Sequence, residues 1–116
     1  MSLLLTALAL LAYLYLFWLL YVLVMGLYRA HLAGRLGPVN TALALPAVAL
    51  AYLVDLAANY TIAAALFRQW PQQPLELVTD RLSRYLVAER GYRYQLARWV
   101  CHTLLDPLDP TGLHCR

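Results

Sequence analysis

The chain has 116 residues, one domain's worth, yet 63% of them are hydrophobic, 13% are charged and the mean hydropathy is +0.60. This balance lies outside the range of soluble globular domains and excludes water as the main solvent. The formal net charge is +3, and every basic Lys/Arg position is an arginine.

Residues 3–27 carry no charge, and about 20 apolar residues suffice for a helix to cross the hydrocarbon core. The stretch predicts a membrane-spanning helix over about residues 3–28. A secretory signal is the alternative, but Met1 and Ser2 supply no basic n-region. The apolar run is too long for an h-region, and Tyr28-Arg29-Ala30-His31 follows it in place of a small-residue cleavage site.

A polar connector, RAHLAGRLGPVN, then turns the chain at Gly34, Gly37 and Pro38. A second apolar run over about residues 39–67 closes at Arg68-Gln69-Trp70-Pro71. The expected fold class is an all-α membrane protein. Residues 1–70 form an antiparallel two-helix transmembrane hairpin, and residues 71–116 a basic, amphipathic helical tail. Open strands are not expected in the hairpin, because their backbone groups would go unsatisfied in lipid. The connector offers Arg29 and Arg35, while the tail side offers Arg68, Arg81, Arg84, Arg90, Arg93, Arg98 and Arg116. That asymmetry places both termini of the multi-pass chain in the cytoplasm.

Within the second run stands YLVDLAANYT, residues 52–61. A carboxylate at mid-span costs about 2.5–3.5 kcal/mol on insertion scales and faces protein or a water-filled cavity. Asp55 and Asn59 are four residues apart, so they share a helix face and form an intramembrane polar stripe. Counting back from the connector puts Tyr13 and Tyr15 at the depth of Asp55, which makes a phenol, Tyr13 foremost, its expected partner. The stripe then either holds helices together, within the hairpin or between copies, or lines an oligomeric pore or a proton-sensitive site.

In the tail, Leu75, Val78, Leu82, Tyr85 and Leu86 fall at helical spacing after Pro74, which predicts a helix over residues 74–88. Glu89-Arg90-Gly91 breaks it. Tyr92, Leu96, Trp99, Val100 and Leu104 then mark a second amphipathic helix. Arg81, Arg84, Arg93, Arg98 and Trp99 read as a basic and aromatic set for the lipid headgroup layer, while packing of the two stripes on each other is the equal alternative. No recognition motif supports nucleic acid as a partner.

The close, WVCHTLLDPLDPTGLHCR, brackets a turn-rich segment with Cys101-His102 and His114-Cys115. Free thiols are the preferred reading, with a Cys101–Cys115 disulfide or a zinc site as alternatives. Four Cys and His ligands are what a closed zinc site needs, but adjacent ligands such as Cys101 and His102 point to different sides of a helix. No cofactor is therefore expected. Asp106 and Asp109 suit backbone-accepting turns, and the loop is expected to lay Leu113 and Cys115 back near Trp99 and Leu104. No catalytic constellation is visible, so an enzyme is not expected.

The segments GLYRAHLAGRLGPVN, LVDLAANYT and LLDPLDPTGLHC together resemble a set of small two-span membrane proteins of proteobacterial phages and prophages. The resemblance, over residues 26–115, implies a bacterial inner-membrane location and a phage-related role, with no activity attached. Two functions follow as expectations. One is an anchored interaction protein that binds a host or phage membrane or virion protein in host takeover, superinfection exclusion, virion assembly or DNA entry. The other is a holin-like homo-oligomer that permeabilises the bilayer.

Overall fold

A computed structural model describes residues 2–115; Met1 and Arg116, used above for the n-region and the tail charge, lie outside them. The described residues form helices joined by turns and irregular segments, with no strand. Helix α1 runs Leu3–Leu32, α2 Pro38–Tyr60, α3 Ile62–Phe67, α4 Val78–Ala88 and α5 Tyr92–Val100. A π-helical turn, Cys101–Leu105, and a 3₁₀ turn, Asp106–Leu108, complete the chain.

The Ser2 side chain accepts the Leu5 N–H and starts α1. The helix continues through Arg29-Ala30-His31, which sequence reasoning assigned to the connector. It stops where Gly34 takes a left-handed φ of 69° and Arg35 N–H reaches back to Ala30 O. Pro38 occupies the first position of α2, where its missing N–H costs nothing.

The expected second span is one run but is built as two helices. Thr61 departs from helical geometry (φ −115°, ψ −87°), with its hydroxyl on Ala57 O, and α3 ends at Arg68 in a left-handed conformation. Together α1 and the α2–α3 pair supply two segments long and apolar enough to cross a membrane. Their surfaces carry exposed leucines such as Leu11, Leu43 and Leu53.

The buried core forms where the tail returns against the end of the second segment. Ala63 and Phe67 of α3 pack with Leu82 and Tyr85 of α4, Ala97 of α5, Cys101 and Leu105. The Phe67 and Tyr85 rings lie 4.7 Å apart. This core crosses the boundary expected at residue 70: the tail packs on the second apolar segment through its own apolar stripe. Helix α4 begins at Val78, one turn later than expected, because Asp80 accepts Leu77 N–H and Asp55 accepts Val78 N–H there.

Phe67 is 3% exposed at the centre of this packing. Phe67→Ala is expected to weaken tail docking by about 3–5 kcal/mol. Limited proteolysis should then cut faster between Pro71 and Trp99, with α1 unaffected.

Candidate functional site: a tail clasp on the second apolar segment

Both side chains of the Asp55/Asn59 stripe meet the tail. Asp55 Oδ1 accepts the Val78 N–H at 2.8 Å, so a carboxylate from α2 sits at the N-terminus of α4, where unpaired N–H groups and the helix dipole favour negative charge. The expected phenol partner is corrected: Tyr13 pairs with Thr61 Oγ1 at 3.1 Å, and the α1 tyrosine near Asp55 is Tyr21. The equal-distance count from the connector placed α1 too far along.

Asn59 is fully buried. Its amide donates to Glu76 O at 2.9 Å and to Glu76 Oε2 at 3.3 Å, and its side-chain oxygen accepts from Arg81 Nε at 2.6 Å. Arg81 is also fully buried. Its guanidinium donates further to Asn59 O, Gln69 O and the Tyr85 hydroxyl at 2.8–3.0 Å. Arg84 grips Glu76 Oε1 through both Nε and Nη2, the latter at 2.7 Å, and reaches Gln69 Oε1. Tyr85 donates to the same Gln69 oxygen.

Burial alone would raise the Glu76 carboxyl. The Arg84 hydrogen bonds, the Gln72 N–H, the Asn59 amide and the Arg84 charge outweigh it and hold the group below its ordinary value of 4.5.

Two arginines, Arg81 and Arg93, cap carbonyls left by the interrupted helix. Arg81 takes Asn59 O beside the break and Gln69 O beyond the end, while Arg93 donates to Phe67 O at 2.7 Å and to Arg68 O. Cations at helix C-termini complement the dipole and the orphan carbonyls. The headgroup assignment of Arg81, Arg84 and Arg93 is therefore corrected: their charges are used inside the chain. Arg98 and Trp99 are exposed, and Trp99 is open over 55% of its surface.

The chain end is tied by a Cys101–Cys115 disulfide, which overturns the preference for free thiols. The two cysteines bracket a loop whose turns bring them together. Asp109 accepts Thr111 N–H and hydroxyl in an Asx-type turn, Gly112 adopts φ 81°, and Asp106 accepts His114 N–H. His102 pairs with Asp106 at 3.4 Å, and among the described residues the four candidate zinc ligands do not form a group that could hold a metal ion. His114 instead bridges Asp109 Oδ2 at 2.9 Å and Thr79 Oγ1 at 2.8 Å, with Nδ1 the donor to the carboxylate. Burial would raise Asp109, but the Thr111 hydroxyl, His114, the Thr111 N–H and the imidazole charge together hold it below the usual carboxylate range. Leu113, expected against Trp99 and Leu104, is 56% exposed. The loop docks on α1: the Tyr21 hydroxyl donates to Leu105 O, the His114 ring meets Tyr21 edge-on at 4.7 Å, and Arg29 donates to Leu108 O.

Sequence reasoning missed Glu76, Gln69, Tyr85 and Tyr21. One signal was present: Arg81 and Tyr85 form a second polar pair at four-residue spacing, the same period as Asp55 and Asn59. Scanned against protein families, curated proteins and solved structures, the chain finds no match.

Removing the Arg81 guanidinium leaves its neutral buried partners, Asn59, the Gln69 carbonyl and the Tyr85 hydroxyl, without their donor. Arg81→Met should cost about 1–3 kcal/mol of tail docking for each buried acceptor left unpaired. Adding Asn59→Leu should recover part of that loss, because both ends of the contact are then apolar. A second outcome follows from Glu76, whose folded pKa is depressed. Its stabilisation is fully present above about pH 4.5 and is lost as pH falls through the lower folded value. Thermal melts of wild type and Glu76→Gln should differ most at neutral pH and converge in acid.

Proposed function

We propose that the chain is a bacterial inner-membrane protein, anchored by a two-helix hairpin, that presents a prefolded tail to a partner protein in a phage-related process. The observation that carries this reading is the complete burial of Asn59 and Arg81 against each other. A pore lined by the polar stripe needs those side chains turned toward water or toward other copies. Here Asn59 is closed off by the tail of its own chain, and Asp55 caps α4. The holin-like reading thereby loses its lining, whereas an anchor with a rigid tail gains a physical basis. A pre-ordered surface has little conformational entropy left to lose on binding.

The outer face of the tail supplies candidate contacts. Val87, Tyr92 and Trp99 are 86%, 49% and 55% exposed, beside exposed Arg90 and Arg98. Aromatic residues and arginine are enriched in protein interfaces. The partner class is a host or phage membrane or virion protein, as in superinfection exclusion or DNA entry. No step in this role calls for catalysis or a cofactor.

The disulfide favours a tail on the oxidising, periplasmic side. The arginine count favours the opposite, but Arg29 is bonded to Leu108 O of the tail and Arg81 and Arg84 are engaged within the chain, so the count does not separate two sides of a bilayer. The covalent bond is the stronger indicator. Alkaline phosphatase fused after Arg116 should be active, and a fluorescent reporter that matures only in the cytoplasm should stay dark; the reverse pattern restores the arginine orientation. Expression of the chain alone should leave cells polarised and dye-tight. Leakage without any other phage protein would return the function to membrane permeabilisation.

A further inference from the structure

The cavity between α1, α2 and the start of α4 carries Asp55 and Asp80 at its polar end. A second one, a groove of about 360 Å³ where the second apolar segment closes, has no carboxylate in its lining. That lining runs from the break at Tyr60 and Thr61 along α3 to Arg68, Gln69 and Trp70. Its acceptors are already spent. The Tyr60 hydroxyl is bonded to Pro74 O and the Thr61 hydroxyl to Ala57 O. Arg84 and Tyr85 both donate to Gln69 Oε1, so the amide has only its N–H groups left to offer. The carbonyls of Phe67, Arg68 and Gln69, which at a helix end would repel an anion, are taken by Arg93 and Arg81. What remains is the Arg68 guanidinium, the Gln69 amide N–H groups and the Trp70 indole N–H, none with an acceptor among the described residues. Arg68 is exposed and Trp70 is 73% exposed. Arg81, bonded to the Gln69 carbonyl, adds a positive charge that no carboxylate touches among the described residues. A lining of cations and donors calls for an oxyanion.

Arg68 also closes α3 in a left-handed conformation, φ 54°, which glycine or asparagine adopts at less cost. The backbone therefore gives no reason for an arginine there. Tyr13 pairs with Thr61, so by helical rise Arg68 falls about level with Thr6, at the start of α1. Both apolar segments end at that level, beside exposed Leu66 and Trp70. In the membrane reading this is the headgroup layer, where tryptophan is enriched.

We propose that this groove binds the phosphate of an anionic phospholipid, with the phosphate oxygens on Arg68 and Trp70 and hydrocarbon along Ala65 and Leu66. The assignment rests on the membrane reading above. A free phosphate ion offers the same oxygens without the chains. A zwitterionic head carries its own cation beside the phosphate, so one interfacial arginine favours the anionic lipid by about fivefold.

The test is native mass spectrometry of the full chain, released from maltoside micelles, with an equimolar mixture of dioleoyl phosphatidylglycerol and dioleoyl phosphatidylcholine. Wild type should retain the glycerol lipid about fivefold in preference. Arg68→Asn suits the left-handed backbone and should erase the preference, whereas Arg68→Lys keeps the charge and should keep it. Arg35→Asn, an exposed arginine of the connector at the opposite end, should change nothing. Inorganic phosphate equimolar with the lipid should leave the lipid in place. Equal retention of the two lipids by wild type, a preference that survives Arg68→Asn or is lost in Arg68→Lys, or an equal loss in Arg35→Asn each overturns the site. Displacement by inorganic phosphate assigns the groove to the free ion and overturns the lipid. Carbonate extraction of expressing cells separates the two failures. Release of the chain into the supernatant sinks the membrane reading, whereas a membrane-retained chain without lipid preference sinks only the lipid site.

Discussion

The structure depends on a guanidinium that water does not reach. Arg81 is always charged, and a buried charge is tolerated only when its hydrogen-bonding capacity is met. Its partners come from three places in the chain: Asn59 on α2, the Gln69 carbonyl beyond α3, and Tyr85 one turn along α4. Satisfying all of them at once fixes the angle and register of α4 on the second apolar segment. The same requirement explains why α2 is interrupted. A continuous helix would spend the Asn59 carbonyl on its own ladder, whereas the irregular geometry at Thr61 makes it available to an outside donor. Among the described residues no carboxylate touches Arg81 directly. Negative charge enters one step away, where the Asn59 amide links the arginine to Glu76 and Glu76 is held by Arg84.

Much of the helical outline was legible in the sequence, because charge-free length and a Gly-Pro turn are local signals. The polar stripe was legible as well: a carboxylate and a carboxamide four residues apart on one helix face must meet something other than lipid. What they meet was not legible from the hairpin alone. The partners lie 17 to 23 residues further along the chain, and the link is a third packing direction that depth counting between two helices cannot detect. Arg81 and Arg93 read as surface cations because arginine on an amphipathic helix usually is one. The departure has a structural cause, the orphan carbonyls of a broken helix, and a break at Thr61 within an apolar run leaves no glycine or proline to announce it. Sequence also left the cysteine pair open, since disulfide, thiol and metal differ by compartment and fold rather than by spacing.

The tail is held at two separate places, and they bind different helices. The Arg81 clasp fastens α4 to α2 and α3, while the disulfide-closed end meets α1 through Tyr21 and Arg29. A hydrogen bond between Tyr13 and Thr61 joins the two apolar segments directly, but a neutral pair of this kind contributes only about 0.5–1.5 kcal/mol. The tail therefore acts as a brace across the two apolar segments, and the Cys101–Cys115 link makes its far end a closed loop with less freedom when undocked. The two attachments also account for the cavity between them. Leu77 to Asp80 enter from the clasp, Leu105 and His114 from the closed end, and both complete walls that α1 and α2 leave open. Loss of either attachment removes one wall while leaving the other in place. The polar end of the cavity, at Asp55 and Asp80, depends on the clasp, whereas its closure against α1 depends on the loop.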